Sequence, residues 1–346
     1  MVEIVRGNLL EADADALVNT VNTVGIMGKG VALQFRQAFP ENYKAYRKTV
    51  DAGEVVTGRM FVFRTHLLHP RYIINFPTKR HWRGRSRVED IEAGLADLVR
   101  VVRKEGIQSL ALPPLGCGSG GLEWRVVRPL IESALAEMPD VRVLLFEPSG
   151  PPDQDRMRVA TQRPKMTPTR AALVMLLNGY AAPGYKLSGL EAQKLAYLLQ
   201  AAGQHMRLEF AKGRYGPYAE VLNHVLQDME GHYIRGYGDR SRDAAIRPLP
   251  EAIAEAERYL SDKPDARRNL QRVLELIDGF ETPYGMELLA TTHWSAGETP
   301  AVNTEPEAAV QAVHSWSDRK RRAFSPQHVR IAWQRLKEQG WLQPAG

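Results

Sequence analysis

Two glycine-rich segments are the parts of this chain that could bind a ligand through the backbone alone. The segment Gly116–Trp124 (GCGSGGLEW) follows an apolar run typical of a strand and precedes a helix-like run that begins near Val126. Such a loop exposes its backbone N–H groups, and the N-terminus of the following helix favours negative charge. A similar segment, Gly25–Phe35 (GIMGKGVALQF), lies between another strand-like run and another helix-like run. Two phosphate-binding loops in one domain predict a diphosphate ligand.

A lysine and a basic stretch follow a further strand-like run. Lys79 comes after the apolar run 71–76, and the residues that follow it include Arg80, His81, Trp82, Arg83 and Arg85. Cations that alternate with an indole suit a surface that pairs with backbone phosphates and stacks a base. The same residues are compatible with a solvated loop in which Trp82 anchors the segment to the core. The residues alone favour the solvated loop.

The elements that must position these residues alternate between strand and helix. Apolar runs predict strands over Val2–Val5, Ala16–Val21, Met60–Thr65, Tyr72–Phe76, Ser109–Leu112 and Val141–Phe146. Helical spacing predicts helices over Gly30–Phe39, Glu41–Asp51, Val88–Lys104 and Arg125–Glu137. The alternation predicts an α/β sandwich with a mixed, largely parallel sheet and helices on both faces. Ligands of such sheets bind at the carboxyl ends of the strands, where both glycine-rich loops lie.

Composition restricts the class of protein. At 346 residues the chain exceeds the usual size of one domain, so we expect two. The net charge of +6 is shared equally before and after Gly150, so charge favours neither part as a binder of nucleic acid. The single cysteine, Cys117, excludes an internal disulfide, and the histidines lack ligand spacing, so we expect no metal and no other cofactor. No segment resembles a membrane span or a signal peptide, which predicts a cytoplasmic protein without a membrane partner.

Three motifs in order resemble the macrodomain, an ADP-ribose-binding α/β/α module. They are GNLLEADADALVNTVNTVGIMGKGVALQF, NFPTKRHWR and LPPLGCGSGGLEW, and the resemblance covers residues 1–150. Neither glycine-rich loop contains GxxxxGK[ST], and no GxGxxG is followed by a suitably placed acidic residue, so P-loop NTPases and dinucleotide-dependent oxidoreductases are not favoured. Within the macrodomains, the chain is similar to the branch that includes the eukaryotic terminal ADP-ribose glycohydrolases and the bacterial DarG antitoxins.

The resemblance implies a set of ADP-ribose-binding residues. Asn8, followed by Leu9, stands where most macrodomains have an aspartate that contacts the adenine amino group. Phe146 is a candidate to cover the adenine face, and a core aromatic is an equally weighted alternative. Asn19 is expected near the distal ribose. The two phosphate loops are expected to consist of Gly28, Lys29, Gly30 and Val31, and of Pro114, Gly116, Cys117, Gly118, Ser119, Gly120, Gly121 and Leu122.

The resemblance also implies the catalytic residues. Lys79 aligns with the catalytic lysine of this branch, which reverses the preference for a solvated lysine. In the eukaryotic relatives an aspartate in the second loop assists that lysine, whereas this chain has Gly120 there. We therefore expect a mechanism without that carboxylate. In it, Asn22 positions the distal ribose and a water, and Lys79 protonates or electrostatically stabilises the departing base.

The remainder of the chain predicts a linker and a helical domain. Residues 151–168 are rich in proline and charge and predict a linker between domains at 1–150 and 169–346. The order KLAYLLQ, RYGPYAEVL and GHYIRGYGD is similar to the C-terminal part of DarG proteins, which implies binding of a cognate DarT-type transferase toxin. Helical spacing predicts helices over Arg170–Asn178, Leu190–Ala202, Tyr218–Met229, Pro250–Leu260, Ala266–Phe280, Gly285–Thr292, Glu305–Val313 and Pro326–Gln339.

Three functions are compatible with these residues. The resemblance favours a DNA ADP-ribosyl glycohydrolase, an antitoxin that removes ADP-ribose from thymine in single-stranded DNA and releases ADP-ribose. The DNA would contact Arg80, His81, Trp82, Arg83 and Arg85. The missing aspartate at Gly120 favours a module that binds ADP-ribose without hydrolysis. The third function is hydrolysis of protein-linked ADP-ribose or O-acetyl-ADP-ribose, against which Lys79 and the basic stretch argue.

Overall fold

The computed structural model describes residues 2–150, 157–181, 184, 187–237 and 245–342. They belong to two compact units, the first ending at residue 162 and the second beginning at residue 163. Residues 151–156 of the predicted linker lie outside the described residues. The end of the predicted linker is packed: Ala160 donates its N–H to the Gln37 carbonyl of the first unit at 2.9 Å. The Pro164 carbonyl accepts from the Tyr233 hydroxyl of the second unit at 2.5 Å.

A six-stranded sheet organises the first unit. Its strands are β1 (Val2–Val5), β2 (Ala16–Asn22), β3 (Phe61–Arg64), β4 (Tyr72–Lys79), β5 (Ser109–Leu112) and β6 (Arg142–Phe146). Their order across the sheet is β1-β6-β5-β2-β4-β3. Neighbours are parallel except β3 and β4, which are antiparallel. The expected mixed, largely parallel sheet is confirmed.

Helices cover both faces of this sheet. They are α1 (Gly30–Ala38), α2 (Pro40–Asp51), α3 (Val88–Glu105) and α4 (Trp124–Ala136). Successive residues of a strand point to opposite faces, and the core follows this rule. Val18 shares one buried cluster with Ile91 of α3 and Val127 of α4, whereas its neighbour Leu17 shares another with Phe35 of α1. The three-layer α/β/α architecture expected from the sequence is therefore confirmed.

The second unit is mainly helical. Its helices are α5 (Pro168–Ala181), α6 (Gly189–Ala201), α7 (Glu220–Met229), α8 (Pro250–Leu260), α9 (Pro264–Ile277), α10 (Pro283–Glu298), α11 (Pro306–Ser315), α12 (Asp318–Ala323) and α13 (Pro326–Glu338). Two short hairpins accompany them, β7 (Ala211–Gly213) with β8 (Gly216–Tyr218) and β9 (Ile234–Arg235) with β10 (Arg247–Pro248). Among the described helices, none is long and apolar enough to cross a membrane.

Two differences from the predicted helices have physical causes. Helix α10 extends beyond the predicted Gly285–Thr292 at both ends, because Thr282 caps its N-terminus and the buried Ser295 and Ala296 continue its packed face. Helix α12 was not predicted because its sequence is DRKRRA, which has no apolar face. It is fixed by tertiary contacts, since its Lys320 is fully buried and donates to Glu287 of α10 at 2.8 Å.

Candidate active site

The carboxyl ends of the parallel strands gather the predicted site residues at one edge of the sheet. Asn8 follows β1, Asn22 ends β2 and Lys79 ends β4. Pro114 and the second glycine-rich loop follow β5, and Phe146 ends β6. Because neighbouring parallel strands end at the same edge, residues more than a hundred positions apart in the chain converge there.

A register shift places the two predicted catalytic residues opposite each other. Strands β2 and β4 pair one to one until their last positions, where Asn22 pairs with Lys79 and Thr78 is the extra residue. Such a bulge changes the direction in which the following side chain points. The Lys79 carbonyl then accepts from the Thr23 N–H at 3.0 Å, so the ends of the two strands are joined beyond the sheet.

The amide of Asn22 is occupied by the loop that follows it. Its Oδ1 accepts from the N–H groups of Val24 at 3.1 Å and Ile26 at 3.2 Å. Its Nδ2 donates to the Ile26 carbonyl at 2.6 Å, and only 5% of the residue is exposed. Both ends of the amide therefore hold the first glycine-rich loop in shape. The expected action of Asn22 on the distal ribose stays a prediction.

The first glycine-rich loop leads into the N-terminus of α1. Lys29 occupies the N-cap position without a side-chain capping bond, and Gly30 begins the helix with a φ of 57°. The first N–H groups of a helix have no partner within the helix, and together with the helix dipole they favour an anion. Gly28 is half-buried and Lys29 is exposed, while Val31 packs against the core. This geometry is compatible with an anion bound by backbone N–H groups.

The second glycine-rich loop is a series of tight turns. Cys117 donates its N–H to the Pro114 carbonyl at 3.1 Å, and Leu122 donates to the Gly116 carbonyl at 3.0 Å. Leu122 also packs against the core beneath the loop. The exposed backbone of this loop belongs to Gly118, Ser119 and Gly121. These positions present backbone groups to solvent at the carboxyl edge of the sheet.

Position 120 has no room for a side chain. A Cβ at Gly120 would collide with the Gly116 carbonyl oxygen and with the Ser86 hydroxyl. The Ser86 N–H donates to the Gly120 carbonyl at 3.0 Å, which joins this loop to the end of the basic stretch. The aspartate that the eukaryotic relatives place here would not fit in this loop conformation. This loop conformation therefore excludes a carboxylate side chain at position 120.

Lys79 lies where the second glycine-rich loop meets the basic stretch. Its Nζ donates to the Ser119 carbonyl at 2.7 Å and to the Trp82 carbonyl at 3.3 Å. Burial lowers the pKa of Lys79 below its usual value, and no carboxylate forms an ion pair with it in the part of the chain that the structure describes. A lowered pKa makes an ammonium a better proton donor at neutral pH.

Arg80 anchors the basic stretch to α3. Its guanidinium donates to both carboxylate oxygens of Asp90, at 2.9 and 3.2 Å. The hydrogen bond from Arg80 lowers the pKa of Asp90, although burial opposes this change. The Arg80 carbonyl accepts from the Thr23 hydroxyl at 2.6 Å, which ties the stretch to the first glycine-rich loop. Arg80 was expected to contact DNA, but its charge is already paired.

Trp82 is exposed instead of packed into the core. The residue is 45% exposed, and its ring stacks on His81 with centroids 5.6 Å apart. The Arg83 guanidinium lies 4.5 Å from the Trp82 ring centroid. Arg85 is exposed as well. The alternative in which Trp82 anchors the loop to the core is therefore wrong, and the stretch presents an aromatic and cationic surface.

The predicted adenine end of the site is more deeply packed. Asn8 caps the short 3-10 helix Leu9–Glu11, where its Oδ1 accepts from the Leu10 N–H at 3.1 Å. Leu9 and Phe146 belong to one buried cluster and are 5% and 8% exposed. Phe146 packs in this cluster, and its contact with an adenine stays a prediction.

Cys117 is a half-buried thiol in the second glycine-rich loop. Burial raises the pKa of its thiol to about 11. The thiol therefore stays protonated at neutral pH, and the thiolate is the reactive form. Cys117 takes part in the second glycine-rich loop through its backbone, because its N–H donates to the Pro114 carbonyl.

Comparisons with known proteins agree with this geometry. The family model described as "Macro domain" matches residues 18–131. A Thermus aquaticus protein named DNA ADP-ribosyl glycohydrolase is 49% identical over 345 residues, which cover 99% of this chain and 95% of the relative. The chain belongs to the DNA ADP-ribosyl glycohydrolase family. It is accordingly a hydrolase.

Two further similarities concern parts of the chain. The solved structure "Macrodomain of Thermus aquaticus DarG" is 56% identical, covers 43% of this chain and 99% of that chain, and has a TM-score of 0.42. A Thermosipho africanus relative is named DNA ADP-ribosyl transferase-DNA ADP-ribosyl glycohydrolase fusion protein. It is 34% identical over 163 residues, which cover 42% of each protein.

In this DNA ADP-ribosyl glycohydrolase, the predicted site combines backbone donors for an anion with the Lys79 ammonium. The glycine-rich loops supply the donors, and Lys79 bonds the backbone of the second loop. Within the described ranges, no group of three or more His, Cys, Asp or Glu side chains could hold a metal ion. The arrangement can stabilise negative charge and can transfer a proton to a leaving group.

Sequence reasoning missed a buried asparagine network beneath the site of this glycohydrolase. Asn19 is fully buried and donates to the Asn75 Oδ1 at 2.9 Å, and Asn75 donates to the Asn42 Oδ1 at 2.8 Å. Asn19, expected near the ribose, thus lies below the surface, and its Oδ1 has no hydrogen-bond partner among the described residues. The available signal was Asn75 itself, a polar residue inside the apolar run of β4.

Proposed function

We propose that this chain hydrolyses the N-glycosidic bond between ADP-ribose and thymine in single-stranded DNA. One observation carries the proposal: the Lys79 ammonium bridges the backbone of the second glycine-rich loop and the backbone of Trp82. The second glycine-rich loop, on one side of Lys79, suits the diphosphate and the distal ribose. Trp82, on the other side of Lys79, suits nucleic acid. The bond to be broken lies between these two parts of the substrate, so Lys79 is placed beside it.

The proposed reaction needs one proton donor and one water. The Lys79 ammonium gives a proton to the departing thymine as the C1″–N bond breaks. Water forms the new bond to C1″, and the proton that it releases restores the ammonium. Because the transition state carries positive charge on the sugar, the diphosphate and the oriented ribose contribute to its stabilisation. Asn22 contributes by holding the first loop.

The exposed basic stretch supports a single-stranded substrate. Stacking of a base on Trp82 requires an unpaired base, and base–aromatic stacking tolerates any base. Arg83 and Arg85 are exposed beside it and can pair with the DNA backbone. Arg80 is already paired with Asp90, so its contribution is to hold the stretch in place.

The test uses an oligonucleotide with one ADP-ribosylated thymidine. Wild type is expected to release ADP-ribose and leave unmodified DNA, as followed by gel shift and mass spectrometry in buffer with EDTA. Lys79→Ala should lose at least a hundredfold in rate, which is the usual size of a general-acid contribution. Lys104→Ala, a change at an exposed lysine of α3, is the control. Hydrolysis by Lys79→Ala at the wild-type rate would refute the assignment.

A specific observation also favours a second candidate, binding of ADP-ribose without hydrolysis. The loop has no space for a carboxylate at Gly120, and such a carboxylate assists the lysine in the eukaryotic relatives. Wild type that binds free ADP-ribose but releases nothing from modified DNA, modified protein or O-acetyl-ADP-ribose would support it. Release from protein or from the acetylated nucleotide alone would support the third function.

We further propose that the helical unit binds a cognate DarT-type transferase. The fusion of transferase and glycohydrolase named for the Thermosipho africanus relative supports this partner. The hairpin of β7 and β8 supplies a surface: Tyr215 and the nearby Val221 are 39% and 53% exposed. The hairpin is held from within by the Lys194 Nζ, which donates to the Pro217 carbonyl at 2.7 Å.

Two variants test this part of the proposal. The double change Tyr215→Ala and Val221→Ala should weaken binding of the purified transferase and leave hydrolysis unchanged. Ile331→Ala, at a residue of α13 that is 52% exposed, is the control. Transferase binding that survives the double change would place the contact elsewhere on the unit.

A further inference from the structure

Helix α2 contacts the start of the first glycine-rich loop through two consecutive residues, Tyr46 and Arg47. Tyr46 is fully buried, and its hydroxyl donates to the Asn22 carbonyl. This carbonyl belongs to the last residue of β2, which pairs with Lys79 across the register shift. The Tyr46 hydroxyl is thus bonded to the point where the chain leaves the sheet and the loop begins.

The ring of Tyr46 is fixed by packing, so its hydroxyl has a defined position. It belongs to a small buried cluster with Val21, Met27 and Val55. Burial raises the pKa of the hydroxyl above its usual value, although the backbone of Gly25 and Asn22 opposes this change. The hydroxyl therefore stays protonated at neutral pH and can donate to the Asn22 carbonyl.

The next residue of α2 holds the same loop at a second point. The Arg47 Nη1 lies 3.4 Å from the carbonyl oxygens of both Val24 and Gly25, to which it donates. Gly25 has a φ of 79°, and a side chain there would collide with this guanidinium. The loop is thus held from inside by the Asn22 amide and from outside by α2.

We propose that Tyr46 is a positioning residue that sets the first glycine-rich loop in its anion-binding conformation. This inference rests on the proposed binding of the ADP-ribose diphosphate by that loop. Loss of the hydroxyl leaves a buried carbonyl without its donor and lets the loop adopt other conformations. Only the competent fraction binds ligand, so the apparent Kd rises as that fraction falls.

The test is Tyr46→Phe, which keeps the ring and removes only the hydroxyl. The Kd of free ADP-ribose and the KM for the modified oligonucleotide should rise together, by about tenfold, the effect of one hydrogen bond to a buried group. The kcat should stay within about twofold because substrate and transition state lose the same binding. Backbone amide exchange should become faster at Val24 and Ile26 and stay unchanged in α4.

Two further variants control the experiment. Tyr43→Phe makes the same change one turn earlier on α2, where the ring lies beneath the Arg36 guanidinium, and should match wild type. Arg47→Met keeps the aliphatic stem and removes the second set of donors, and should raise the Kd of ADP-ribose less than Tyr46→Phe does.

Several outcomes would overturn the inference. Wild-type Kd, KM and exchange in Tyr46→Phe would reduce Tyr46 to a packing residue, even if the melting temperature fell. A fall in kcat with unchanged Kd would mean that Tyr46 acts on the chemical step and not on ligand binding. Wild type that failed to bind ADP-ribose would instead refute the proposed function, and the exchange measurement would still decide whether Tyr46 holds the loop.

Discussion

Lys79 illustrates how a single residue receives its chemistry from its surroundings. Its ammonium has two carbonyl oxygens as acceptors, on Ser119 and Trp82, and burial lowers its pKa. Carbonyls can orient an ammonium without cancelling its charge, so the group stays ready to give a proton to a neighbouring atom. A carboxylate partner would have raised the pKa and weakened the acid.

The pH dependence of hydrolysis tests this role. The protonated form of Lys79 is the donor, so log kcat/KM should fall as pH rises through its pKa. This alkaline fall should begin below the usual lysine range, near 10.4, because burial lowers the pKa. Lys79→Arg, which stays protonated, should be slower and should lack the fall between pH 7 and about 10.

The control for this profile is Lys104→Arg, which should reproduce the wild-type curve. The same alkaline fall in Lys79→Arg would mean that another group titrates.

Asn22 is a residue whose surroundings could not be predicted from the sequence. Its alignment with a ribose-orienting asparagine was visible in the sequence, but the three hydrogen bonds of its amide to loop backbone were not.

At the scale of elements, the second glycine-rich loop contains two glycines with different constraints. A side chain at Gly120 would meet the Gly116 backbone and Ser86, whereas a Cβ at Gly118 has nothing within 4 Å. The sequence did not distinguish Gly118 from Gly120, because both lie in the same glycine-rich segment. The difference arises from the end of the basic stretch, which packs against one glycine and leaves the other open.

Gly120→Ala should therefore distort the loop, and Gly118→Ala should be tolerated. We expect Gly120→Ala to lower the free energy of unfolding by about 1–3 kcal/mol, the usual cost of overpacking, and to lose ADP-ribose binding. Calorimetric titration and thermal melting measure both effects. Equal behaviour of the two variants would show that the loop conformation differs from the one described here.

The basic stretch should contribute to DNA recognition and not to the ADP-ribose site. Trp82→Ala should raise the KM for the modified oligonucleotide by roughly tenfold or more, since base stacking contributes about 1–3 kcal/mol. The Kd of free ADP-ribose should not change, because the indole is exposed and only the Trp82 carbonyl touches Lys79.

Leu68→Ala is the matched control for Trp82→Ala. Leu68 is 87% exposed and lies in the connection between β3 and β4, at the edge of the sheet opposite the site. It should match wild type on both ligands. A change in the Kd of free ADP-ribose in Trp82→Ala would mean that the stretch also shapes the sugar site.

At the scale of the whole molecule, the stability of the second unit depends on pH because this unit buries a lysine. Lys194 of α6 is 1% exposed, and burial lowers its pKa to about 7, helped by the charge of Lys320 and opposed by Glu287. In the unfolded chain its pKa returns to about 10.4. Between these values the unfolded chain binds more protons than the folded chain, so the stability of the second unit rises with pH.

Lys194→Met should remove this dependence. As pH falls from 10 to 7, wild type should lose stability relative to the variant. The difference in free energy of unfolding, variant minus wild type, should therefore increase by at most about 1.4 kcal/mol per pH unit. The lost hydrogen bond to the Pro217 carbonyl adds a constant that does not vary with pH. Calorimetry at pH 7 and pH 9.5, with Lys337→Met as control, measures the shift. A difference that is the same at both pH values would contradict it.

The sequence by itself determined the strands and helices of the first unit, most helices of the second unit, their order, and the positions of the two glycine-rich loops. Hydrophobic period, glycine content and motif order are local properties, so they could be read along the chain. Only the tertiary structure decided the pairing of Asn22 with Lys79, the exclusion of a side chain at Gly120 and the pairing of Arg80 with Asp90. Each depends on contacts between segments that are separate in sequence, and their register is set by packing and hydrogen bonding across the folded unit.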